Sequence, residues 1–84
     1  MKITFDEPKR QLNLENRGLD FANLTLEFFE SSTVVPAKNG RFKAIGEFQD
    51  TILAVIFKPL GTEAVSVISM RRASRKERKA HANT

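Results

Sequence analysis

Five side chains carry most of the chemistry open to this chain: Arg41, Arg71, Arg72, Glu77 and His81. Arg71 and Arg72 open a basic end. Residues 71–84 hold six Lys or Arg and one acidic residue, a net of +5, whereas residues 1–70 hold eight basic and nine acidic residues, a net of −1. A near-neutral body with a concentrated cationic end is the footprint of a protein that meets a polyanion. The plainer alternative is a solvated basic helix. Guanidinium suits phosphate because it stays charged and its fork meets two oxygens at once. Glu77 and His81 stand four residues apart, on one helical face, where an ion pair would keep a proton donor to hand. Glu77 has a second explanation, since Ser74 three residues earlier makes a capping box with it. His81, near the end of the chain, reads more simply as a frayed surface histidine.

The elements that must position these groups follow from periodicity and turn signals. Residues 2–5 form a short strand with Ile3 and Phe5 on one face. Asp6, Glu7 and Pro8 start a helix that runs to about Arg17, and Gly18 is placed for the left-handed position after it. Asp20 caps a second helix, whose stripe of Phe21, Leu24 and Phe28 belongs to a core. Residues 33–36 are β-branched, and Asn39-Gly40 is a hairpin turn. Residues 41–48 alternate, with Phe42, Ala44, Gly46 and Phe48 facing one way and Arg41, Lys43, Ile45 and Glu47 the other. Gln49-Asp50 turns the chain into residues 51–57, which are apolar on both faces and read as the central strand. Pro59 and Gly61 make the next turn, and residues 63–70 are the last strand, delivering the chain to Arg71 and Arg72. A short basic helix over about 74–82 closes the chain; at two turns it must dock to persist. The expected fold is α+β: an antiparallel sheet of four to five strands, with the helices on one face.

Composition narrows the function classes. At 84 residues the chain is a single domain, 1–84, of modest stability. It has no cysteine and one histidine, so neither a disulfide nor a metal cluster is expected. The longest apolar run, residues 52–57, is far too short to cross a bilayer, and no hydrophobic leader begins the chain. The expected location is the cytoplasm. With neither Trp nor Tyr, base stacking would fall to phenylalanine, histidine or arginine planes, which suits a protein that grips the backbone.

Taken in order, several segments resemble the BrnT ribonuclease toxins of type II toxin–antitoxin systems. They are Phe5-Asp6-Glu7-Pro8-Lys9, Asn13 through Gly18 with Phe21, Arg41-Phe42-Lys43-Ala44-Ile45-Gly46, and Ile68-Ser69-Met70-Arg71-Arg72-Ala73 with Glu77-Arg78. The resemblance spans nearly the whole chain. It implies a RelE-like fold, RNA cleavage without metal or cofactor, and neutralisation by a ribbon-helix-helix antitoxin (BrnA-like), with the toxin as a dimer or in a hetero-tetramer with the antitoxin. Two positions depart from the family pattern: its Lys-His-Gly triplet is Asn16-Arg17-Gly18 here, and its C-terminal tyrosine is His81.

Cleavage of that kind proceeds by attack of the ribose 2′-hydroxyl on the adjacent phosphorus. It needs a base, an acid for the leaving 5′-oxygen, and cations around the phosphate. The implied catalytic set is Arg41, Arg71, Arg72, Glu77 and His81, with Arg17, Lys43, Arg75 and Arg78 binding RNA. Arg71 and Arg72, adjacent on an extended segment, point to opposite faces, so one of them is expected at the reacting phosphate. The guanidinium groups of the last strand, the 41–48 strand and the terminal helix are expected to converge. Two rivals stand beside the toxin reading. One is a catalytically impaired member that binds nucleic acid or antitoxin. The other is a structural partner whose basic tail meets an acidic protein surface.

Overall fold

The computed structural model describes residues 1–83. The element order is β1 (Lys2–Phe5), α1 (Glu7–Arg17), a 3₁₀ turn (Phe21–Asn23), α2 (Leu26–Ser31), β2 (Thr33–Pro36), β3 (Phe42–Phe48), β4 (Thr51–Leu60), β5 (Ala64–Arg72) and α3 (Arg75–Ala82). The five strands form one sheet in the order β1-β5-β4-β3-β2. The fold is α+β as expected. The sheet is mixed, because β1 returns beside β5 in parallel, with Ile3 opposite Val65 and Phe5 opposite Val67. The other pairings are antiparallel.

Local chemistry explains most boundaries. Asp6 accepts from the Lys9 N–H at the start of α1, proline fills the first turn, and Gly18 adopts φ 70° while donating to the Leu14 carbonyl. Asn39 and Gly40 both take positive φ, as a type I′ hairpin turn requires, and so do Gln49 and Asp50 between β3 and β4. Three boundaries differ from expectation. The expected second helix is broken in two: Leu24 leaves helical geometry at ψ 144°, and Thr25 starts α2 afresh by accepting from the Phe28 N–H. Pro59 lies inside β4 rather than in a turn; β3 ends opposite Phe57, so beyond it β4 has a neighbour on one side only and a missing donor is tolerated. β5 runs on to Arg72, so both arginines belong to the strand.

The main core lies on one face, under α1, the 3₁₀ turn and α2. It joins Phe21, Leu24, Phe28 and Phe29 to Ala44, Leu53, Val55, Phe57, Val65, Val67 and Met70. Edge-on ring pairs, Phe28 with Phe29 and Phe29 with Phe57, knit α2 to β4. α2 passes tightly over Gly46: a Cβ there would stand 3.2 Å from both the Phe28 ring and the Ser32 Cβ. The helices do not share one face. α3 crosses to the other side, where Ile45, Ala54 and Ala73 form a small second cluster flanked by Ile52. The physical cause is the apolar character of β4 on both sides, which needs cover above and below.

Two features set how β5 presents its end. Ile56 pairs with Ser69 and Phe57 with Val67, leaving Ile68 as an unmatched residue in a β-bulge. Past Val67 there is no β1 neighbour, and a side chain takes over from it. Asn13 on α1, 8% exposed, accepts from the Met70 N–H at 3.2 Å and donates to the Met70 carbonyl at 3.0 Å. Its amide also donates to the Leu19 carbonyl at 2.9 Å, tying the turn after α1 to the strand edge.

Candidate functional site

Arg71, paired with Ala54, points to the α3 side of the sheet, and Arg72, paired with core Leu53, to the other. Over Arg71 the chain turns into α3 through Ser74. The capping box is complete: the Ser74 hydroxyl accepts from the Glu77 N–H at 3.1 Å, and Glu77 Oε1 accepts from the Ser74 N–H at 2.8 Å. This fixes the Glu77 carboxylate directly above the sheet.

Two cations from different strands then meet it. Arg71 donates from Nη1 to Oε1 at 2.7 Å and from Nη2 to Oε2 at 2.9 Å. Lys43 Nζ on β3 lies 2.7 Å from Oε2. The carboxylate therefore accepts four hydrogen bonds and is only 8% exposed as a residue. Arg71, then Lys43 and the Ser74 N–H, hold it far below the usual carboxylate range against the opposing effect of burial. Arg71 in turn is held above the ordinary guanidinium value by Glu77. Such a carboxylate is a weak base at neutrality.

Beside this triad runs a groove of about 300 Å³ between α3 and the β2–β3 edge, lined by Val35, Lys43, Ile45, Ser74, Lys76, Glu77 and Ala80. His81 lies on the same helix one turn beyond Glu77. Its Nδ1 is 2.8 Å from the Thr33 hydroxyl of β2. The histidine thus docks α3 on the sheet edge and is half-buried. Among the described residues the Glu77 carboxylate is taken by Arg71, Lys43 and Ser74 rather than by the expected His81.

The remaining candidates separate by face. Arg41 precedes β3, and strand alternation places it on the same side as Lys43. Arg75 and Arg78 are exposed on α3, and Arg78 donates to the Ala73 carbonyl at 2.9 Å. Arg17 is exposed at the end of α1 and, with Lys9, Leu12, Asn16 and Ile68, lines a separate groove. Arg71, Lys43, Glu77 and His81 therefore gather about α3, while Arg72 and Arg17 do not join them. Sequence reading missed Thr33 as the partner of His81 and Asn13 as the clamp on β5. A buried asparagine leaves no local signal, whereas the two-sided apolar β4 did indicate that some element must cover the second face.

An α+β protein with two helices packed on one face of a mixed sheet, and a basic helix holding a cation–carboxylate cluster on the other, is a recognisable class. The family model described as the ribonuclease toxin, BrnT, of type II toxin–antitoxin systems matches residues 5–77, and the chain belongs to that family. It is similar to the 1.1 Å crystal structure of the Brucella abortus ribonuclease toxin BrnT, with a TM-score of 0.84 and 62% identity, over 89% of this chain and 99% of that one. Comparison with curated proteins finds no match. No helix among the described residues is long and apolar enough to cross a membrane.

Proposed function

We propose that the chain is the toxin of a type II toxin–antitoxin pair and an endoribonuclease that cleaves RNA without a metal ion. The observation that carries this reading is the meeting of Arg71 and Lys43, from two strands, beneath α3 in a member of the BrnT family. In the proposed reaction the 2′-hydroxyl oxygen attacks phosphorus, its proton passing to solvent water, and the P–O5′ bond breaks. A proton passes to the leaving 5′-oxygen, giving a 2′,3′-cyclic phosphate and a 5′-hydroxyl. Arg71 and Lys43 bear on the phosphate as charge builds, with Arg41 on the same side, which is the largest single service a protein can render such a step. His81 is the proton donor. Glu77, with every lone pair engaged, stays out of proton transfer. Arg75, Arg78 and Arg17 meet flanking backbone, and the partner is a ribbon-helix-helix antitoxin.

The test is cleavage of RNA in chelator by purified wild type and by the Arg71→Ala and His81→Ala variants, with the product ends identified. Cyclic phosphate ends and a loss of about 10²–10³-fold in Arg71→Ala are expected. Equal activity in all three would identify a contaminant and end the reading. A second reading, a binding module without catalysis, is favoured by Arg17 standing where the resemblance expects a histidine. Salt-sensitive RNA binding with intact substrate would select it.

A further inference from the structure

Arginine has five N–H donors, and the pattern in which Arg71 uses them is specific. One hydrogen of Nη1 and one of Nη2 go to the two Glu77 oxygens, an end-on fork. Nη1 also lies 3.3 Å from the Arg72 carbonyl, which takes its other hydrogen. That leaves the opposite edge, the Nε hydrogen and the second Nη2 hydrogen, with no acceptor among the described residues. The side chain keeps 35% of its surface exposed, against 10% for Glu77. The carboxylate is itself anchored from behind by the Ser74 N–H and from the side by Lys43. A phosphate can therefore take the open edge side-on without displacing Glu77.

We propose that Glu77 is a positioning residue: it grips the end of the Arg71 guanidinium and thereby presents the Nε–Nη2 edge to a substrate phosphate. For its substrate this rests on the ribonuclease reading; for its geometry it does not. The opposite role, a counter-ion that must leave before phosphate binds, predicts tighter RNA binding once the charge is removed. A general-base role predicts losses independent of Arg71.

The experiment compares full-length wild type with Glu77→Gln, Arg71→Ala and the double variant. Gln keeps an acceptor oxygen for the Ser74 N–H, so α3 can still start. Single-turnover cleavage should fall about 10²-fold in Glu77→Gln, the scale of a misplaced catalytic group. Its affinity for an uncleavable 2′-O-methyl oligoribonucleotide should stay within about threefold of wild type, and the double variant should match Arg71→Ala within about threefold. Multiplicative losses in the double variant, or a Glu77→Gln protein that binds more tightly and cleaves normally, would overturn the proposal. A second measurement on the wild type stands even if no RNA is cleaved, an outcome that would fell only the nuclease reading. Nitrogen-15 and carbon-13 resonances are followed while the 2′-O-methyl probe is added. A shift at Arg71 Nε with the Glu77 carboxyl resonance unmoved supports positioning. A displaced Glu77 carboxyl, or an unresponsive Arg71 Nε, refutes it.

Discussion

Two neighbouring arginines with the same chemistry have different surroundings because a strand sends successive side chains to opposite faces. Arg71 lies against Glu77, whereas Arg72 is exposed on the side of the main core. Replacing Arg72 with Ala should therefore cost at least about tenfold less activity than Arg71→Ala, compared as single-turnover rates at one salt concentration. Arg71→Lys should behave nearly as Arg71→Ala, since an ammonium cannot hold a carboxylate end-on and a phosphate side-on together. Arg41→Ala should weaken RNA binding and reduce the log–log salt slope by about 0.7, the share of one phosphate contact on a single strand. At this scale the basic end and the capping box were legible, because both are local patterns. The Lys43–Glu77 and Thr33–His81 contacts join residues 34 and 48 positions apart, and nothing local ties them.

At the scale of elements, one amide holds the edge of β5 where β1 has ended. Asn13 substitutes for a ladder neighbour at Met70, so Asn13→Ala strips partners from a buried N–H and carbonyl and should cost about 2–3 kcal/mol in urea unfolding. An unchanged midpoint would show that water replaces the amide at no cost. Ser74→Ala removes the cap of α3 and should cost about 1 kcal/mol, with α3 amides losing protection in hydrogen exchange before the sheet does. The strands and turns were readable because Asn39-Gly40 and the alternation of residues 42–48 are strong signals. The break in the second helix was not. Phe21, Leu24 and Phe28 keep helical spacing through it, and only the capping hydroxyl of Thr25 marks the restart. The side chosen by α3 was hidden because its apolar surface is a few alanines, too little to orient it from sequence.

For the whole molecule, acid is the revealing condition. Arg10 first, then the Ala22 N–H, hold Asp20 down to about 2; Arg10 likewise lowers Glu7, and Arg71 holds Glu77 far below its ordinary value. Depressed folded values mean that these carboxylates stabilise the fold above their unfolded values near about 4. That contribution is lost as pH falls through the folded values. Urea midpoints should hold steady down to about pH 5 and then drop toward pH 2, and Asp20→Asn should flatten part of that fall; a wild-type midpoint constant from pH 5 to 2.5 would contradict it. The bulge at Ile68 has a consequence of another kind, one of parity. Val67 and Met70 both reach the main core although three steps separate them, and that odd count is what hands Arg71 rather than its twin to the terminal helix. Deleting Ile68 would restore strict alternation and leave each arginine on its present side. Lengthening the strand past the bulge by one uncharged residue, with the bulge kept and the shift carried through to its end, would swap them, keeping the charge while delivering the other guanidinium to the carboxylate.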